Sequence, residues 1–157
     1  MAEDGDSYAA NAALKAEAAA GREGAAALGD DSGLEVEALG GFPGLRSARV
    51  APTQEERNRL VLERLASRPR PWRARFVCVV ALTVPGEPTR WFQGERWGEV
   101  VEPRSAGGGF GYDPLFLVPE AGRTFAEMAP GEKHRWSHRG AAVRALVEAG
   151  ALARLPA

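Results

Sequence analysis

The chain has 157 residues, with 20 Lys and Arg against 21 Asp and Glu and a formal charge of -1. A domain of this size buries roughly 70% of its extended-chain surface, enough for a core without disulfides or metal staples. The charge balance offers no general attraction to nucleic acid or membrane, so any anion site must be local.

The single cysteine, Cys78, excludes an intramolecular disulfide and reads as a small core residue within the apolar residues 76–82. No apolar stretch approaches the ~20 residues a membrane helix needs. Glu3, Asp4 and Asp6 stand where a secretory leader is basic. A cytoplasmic protein is expected.

Residues 8–20 are alanine-rich, with Leu14 and Lys15 among them, and predict a helix capped by Asp6 or Ser7 and ended by Gly21. Residues 25–28 form a short apolar run that stops at Gly29-Asp30-Asp31-Ser32-Gly33, a stretch of turn-forming residues. Leu34-Glu35-Val36-Glu37-Ala38 then alternates as a half-buried strand does, so the region reads as strand, turn, strand. Gly40-Gly41-Phe42-Pro43-Gly44 is a loop. Thr53 and Glu56 make a capping box, followed by Val61, Leu62 and Leu65 at helical spacing, and Arg68-Pro69-Arg70-Pro71 stops that helix. Residues 74–84 predict a central strand, and residues 91–101 its neighbour through a hairpin around residues 85–88. A glycine-rich loop over residues 106–114 leads into a short strand at 115–118. From Ser137 onward, Val143, Leu146 and Val147 share one face of a closing helix. The pattern is a mixed α/β domain without repeats or an interdomain linker.

Three segments carry chemistry. Asp30-Asp31-Ser32-Gly33 places neighbouring carboxylates where they can hold Mg²⁺ or take a proton from water, although the same residues also make a plain solvated turn. Phe110-Gly111-Tyr112-Asp113-Pro114 offers backbone N–H groups for phosphate and aromatic faces for a base; the alternative is a loop with two core aromatics. It is neither a Walker loop nor a dinucleotide fingerprint. In Glu132-Lys133-His134-Arg135-Trp136-Ser137-His138-Arg139-Gly140, Ser137 can cap the last helix, leaving His138 and Arg139 in its first turn. Cations there oppose the helix dipole, which invites an anion or acceptor-rich ligand; otherwise the segment is an exposed basic patch. His134 lies outside that arrangement and reads as a surface residue.

Asn11-Ala12-Ala13-Leu14-Lys15-Ala16, Asp30-Asp31-Ser32-Gly33-Leu34 and the stretch from Gly40-Gly41-Phe42-Pro43-Gly44 to Ala48-Arg49 resemble, in order, signature stretches of the inosine triphosphate pyrophosphatase family. Gly109-Phe110-Gly111-Tyr112-Asp113-Pro114-Leu115-Phe116 and Glu132-Lys133 through Ser137-His138-Arg139-Gly140 complete a set that spans the chain. The resemblance implies an α/β fold: a mixed elongated sheet with flanking helices in two lobes, a nucleotide groove between them, and a homodimer. It implies hydrolysis of non-standard purine nucleoside triphosphates (ITP, dITP, XTP) to the monophosphate and pyrophosphate, with Mg²⁺ as cofactor. Asp31 resembles the general base and metal-holding residue. Lys15, Ser32 and Lys133 would contact the triphosphate, while Phe110 and Tyr112 border the base. Asp113, His138 and Arg139 would read the base edge, and Gly111 would allow close backbone approach.

The family opens with a strand and a Thr/Ser-x-Asn-x-x-Lys phosphate motif, whereas this chain starts just before Asn11. The expectation is therefore a single domain over residues 1–157, truncated at the N-terminus. The competing readings are an inactive nucleotide-binding or dimerisation module, and a relative acting on modified pyrimidines.

Overall fold

A computed structural model describes residues 5–104 and 109–155. Glu3, Asp4 and residues 106–108 of the glycine loop lie outside the described residues. The chain forms two compact units. One holds the chain up to Ser32, Val77–Glu95 and the chain from His138 onward; the other holds Gly33–Phe76 and Arg96–Ser137. Five strands form a sheet in sequential order: β1 (Ala27–Val36), β2 (Trp72–Thr83), β3 (Arg90–Val100), β4 (Phe116–Val118) and β5 (Arg123–Thr124). β3 pairs antiparallel with β4, and β4 with β5.

In the first unit the sheet lies between two helices. Helix α1 (Tyr8–Glu23) starts at Ser7, whose hydroxyl accepts from Ala10 N–H at 3.1 Å. It ends at Gly24, with φ 63, rather than at the expected Gly21. A helix interior tolerates Gly21, whereas the left-handed cap needs a residue without Cβ at position 24. The alanines of α1 do more than favour helix: Ala12, Ala13 and Ala16 are buried against Val79 and Ala81 of β2. On the other face of β2, Cys78, Val80 and Leu82 pack with Ala142 and Leu146 of helix α4 (His138–Glu148). Within residues 78–82 of β2, strand alternation thus assigns Val79 and Ala81 to α1 and Cys78, Val80 and Leu82 to α4. The expected apolar face of α4 is only partly right. Leu146 is buried, but Val143 and Val147 are exposed, because the helix turns Ala142 and Gly140 inward instead.

The larger correction concerns β1. It runs unbroken through Asp30-Asp31-Ser32-Gly33, so there is no acidic turn. Neither Gly29 nor Gly33 takes a positive φ, and the Asp30 and Asp31 side chains find tertiary partners that a turn would not need.

The second unit is built on a core of Leu34, Val36, Val61, Leu65, Trp72, Phe76, Phe116 and Phe125. Phe76, Phe116 and Phe125 form a ring cluster with centroids 4.7–5.9 Å apart. Helix α2 (Gln54–Leu65) opens on the expected capping box: Thr53 Oγ1 accepts from Glu56 N–H, and Glu56 accepts from Thr53 N–H. These bonds hold the Glu56 carboxyl below its usual range. Helix α3 (Pro130–Trp136), which opens on Pro130 with Glu132 in its first turn, and β5 are short elements that the sequence pattern did not separate from their surroundings.

Candidate active site

The expected site residues fall into two groups, one in each unit. In the first, Asn11 and Lys15 lie one turn apart on α1 and therefore on one face. Both reach Asp31 of β1. Asn11 Nδ2 donates to Asp31 Oδ2 at 3.0 Å, and Lys15 Nζ lies 3.7 Å from Oδ1. Lys15 Nζ also donates to the Asp30 carbonyl at 2.9 Å. Asp31 is 8% exposed and Asn11 fully buried, with Asn11 Oδ1 accepting from Gly5 N–H at 2.9 Å. Asn11 and Lys15 both approach Asp31 as donors, as an ionised carboxylate out of water requires.

The close approach has a local cause at Gly29, two residues earlier on the same face. A Cβ there would stand 2.6 Å from both Ala12 O and Ala16 N. Only glycine lets β1 lie this close to the backbone of α1.

Asp30 and Ser32 face the other side of β1. Asp30 Oδ2 accepts from Arg139 Nε at 3.1 Å and Nη2 at 2.8 Å, and receives the Cys78 thiol at 4.0 Å. Ser32 Oγ is buried beside that thiol and has no nitrogen or oxygen hydrogen-bond partner among the described residues. Cys78 is buried as expected, but it does have a basic neighbour in Arg139; burial outweighs it and pushes the thiol up. The two carboxylates expected to share one turn and one ion are therefore separated by strand alternation. Asp31 faces α1, and Asp30 offsets the cation placed at the start of α4. His138, 6% exposed, is the first residue of that helix. His134 is exposed, as expected.

In the second group Asp113 is 4% exposed and organises the glycine loop. Its Oδ2 accepts from Phe110 N–H at 2.9 Å and pairs with Lys133 Nζ. The Lys133 ammonium lies 4.3 Å from the centre of the Phe110 ring, which is 66% exposed. Gly111 takes φ +61 with open space around it, and its carbonyl accepts from Asn58 Nδ2 at 3.4 Å. Tyr112 turns inward, 5% exposed, and its hydroxyl donates to the Ser47 carbonyl at 2.6 Å. Burial pushes this phenol up to about 12. Of the two aromatics, Phe110 offers a ring face and Tyr112 anchors the loop in the core.

Sequence reasoning gave no role to Asn11 or Ser47, and for Asp30 it gave only a shared metal or proton-accepting turn, not the pairing with Arg139. The available signal for Asn11 is a polar side chain four residues before Lys15, on the buried alanine face of its helix.

Among the described residues, no three His, Cys, Asp or Glu side chains converge to hold a metal. A single carboxylate such as Asp31 can still join an ion held mainly by phosphate oxygens and water, because Mg²⁺ takes as few as one or two protein carboxylates. No helix of the described residues is long and apolar enough to cross a membrane.

Comparison with known proteins supplies the relationships. The dITP/XTP pyrophosphatase of Thermus thermophilus is 51% identical over 150 residues, a match covering 94% of this chain and 72% of that protein. The solved structure of the Staphylococcus aureus Ham1 protein superposes with a TM-score of 0.86 at 38% identity, covering 98% of this chain and 80% of that one. A HAM1 protein from Coxiella burnetii gives a TM-score of 0.85 at 41% identity, covering 95% and 79%. The Ham1 family model matches residues 1–149, and on that match and these relatives the chain belongs to the Ham1 family.

Proposed function

We propose that this protein hydrolyses non-standard purine nucleoside triphosphates (ITP, dITP and XTP) to the nucleoside monophosphate and pyrophosphate. The observation that carries this is Asp31, a buried carboxylate held from both sides by donors of α1, in a chain half identical to a dITP/XTP pyrophosphatase. Asp31 takes a proton from water as the water oxygen bonds to the α-phosphorus and the bridging oxygen leaves with pyrophosphate. Lys15 and Lys133 offset charge on the phosphate oxygens, and Ser32 donates to them. Mg²⁺, when held by Asp31 and phosphate oxygens, supplies further charge stabilisation.

Phe110 stacks on the base, Gly111 permits close backbone approach, and Tyr112 keeps the loop in place. Asp113, His138 and Arg139 read the base edge. Hypoxanthine and xanthine carry a keto oxygen where adenine carries an amino group, so a donor such as Arg139 accepts the first two and leaves adenine mismatched. The protein is further proposed to act as a cytoplasmic homodimer, checked by light scattering.

The test is pyrophosphate release with Mg²⁺ at alkaline pH from ITP, dITP, XTP, ATP and GTP. The expected result is a preference of at least ~100-fold in kcat/KM for the first three over ATP. A folded protein that releases no pyrophosphate from any of them, or that prefers ATP, contradicts the proposal.

A further inference from the structure

We infer that Asn11 is a positioning residue for the reaction, fixing the plane of the Asp31 carboxyl group; this rests on Asp31 acting as the base. Asn11 is fully buried, and both ends of its amide are committed. Oδ1 accepts from Gly5 N–H at 2.9 Å, and Nδ2 donates to Asp31 Oδ2 at 3.0 Å. The first bond sets which way the amide faces, because a flipped amide would turn its NH₂ toward the Gly5 N–H and its oxygen toward a carboxylate.

Asn11 therefore presents a donor to Oδ2 and a repulsive face to nothing. Lys15, one turn later, stands nearer Oδ1. The two α1 side chains grip different oxygens of one carboxylate, which sets its rotation about χ2, a torsion that is otherwise soft. A base must point its lone pair at the water it deprotonates, so this rotation belongs to the geometry of the reaction. The amide is uncharged and buried beneath the carboxylate, so it orients Asp31 without touching substrate.

The test uses Asn11→Ala and Asn11→Leu, which remove the amide donor without placing a charge beside Asp31. Folding is followed by circular dichroism, and kcat and KM for ITP are measured at 25 °C. Any variant that folds is expected to lose about 10–100-fold in kcat with KM within about threefold, the pattern of a misaligned base. A folded variant with kcat within twofold of wild type, or a loss confined to KM, overturns the inference. Unfolding of both variants also overturns it, since Asn11 would then serve only the fold. A second readout is independent of turnover: the Asn11 side-chain amide protons should exchange slowly in the wild type and at least about tenfold faster in Asp31→Ala. Equal exchange overturns the clamp. A folded wild type that leaves ITP intact while this protection is present would refute the pyrophosphatase reading alone.

Discussion

Replacing Gly29 with alanine tests the seat of β1 on α1 that brings Asp31 to its partners. The added Cβ would meet Ala12 O and Ala16 N at 2.6 Å and Lys15 Cβ at 2.9 Å. The first two are backbone atoms of a helix, which no rotamer change can move aside. Ordinary van der Waals contact begins at 3.4 Å, so strand and helix must part by about the 0.8 Å between 2.6 and 3.4 Å. Overpacking of this kind costs about 1–3 kcal/mol. Alanine's more restricted unfolded chain returns roughly 0.4–1 kcal/mol, so the middle of the two ranges leaves a net loss of about 1.3 kcal/mol. For a chain of this size that lowers Tm by roughly 3–5 °C. Asp31 lies two residues along on the same face, so the displacement also loosens its bonds to Asn11 and Lys15; a misplacement near 1 Å costs up to ~100-fold in rate. Calorimetry and pyrophosphate release on the same preparation measure both effects. A Gly29→Ala variant that melts and turns over like the wild type refutes the close-seat account.

Three further outcomes are expected. The Tyr112 phenol, raised by burial to about 12, binds its proton more tightly folded than unfolded. That contribution, roughly 2–3 kcal/mol, is complete below pH 10 and disappears as pH climbs from about 10 to 12; urea midpoints should fall across that window, and fall much less in Tyr112→Phe. Asp113→Ala removes the acceptor shared by Phe110 N–H and Lys133, costing about 1–3 kcal/mol in chemical unfolding and raising KM for ITP more than it lowers kcat. Gly94→Ala drives a Cβ into the backbone at His138 O and Ala142 N of α4, so its loss in thermal unfolding should equal or exceed that of Gly29→Ala, at about 1–3 kcal/mol.

What the sequence disclosed divides along a physical line. The capping box of Thr53 and Glu56 is local chemistry, complete within one helical turn, and it stands in the structure as read. The central strand and its hairpin partner were legible for the same reason, since their apolar runs and bounding turn residues are contiguous. Asp30-Asp31-Ser32-Gly33 was misread because its composition is that of a turn. Its conformation is settled by partners at distance: Asn11 and Lys15 on one side of the strand, Arg139 on the other. Gly24 rather than Gly21 ended α1 because the choice depends on which carbonyl the next N–H can reach. Tyr112 and Phe110 are neighbours but one for the motif, yet one is core and the other exposed; the core cluster around Tyr112 and the Ser47 carbonyl that receives its hydroxyl distinguish them. In each case what was hidden is a tertiary partner.

Hydrolysis of ITP in ¹⁸O-labelled water is the most direct test of Asp31 as the base for attack at the α-phosphorus. One label is predicted in the inosine monophosphate and none in the pyrophosphate, with the reaction nearly abolished in a folded Asp31→Asn protein. Label in the pyrophosphate, release of single phosphates, or an Asp31→Asn rate near that of the wild type would contradict the account.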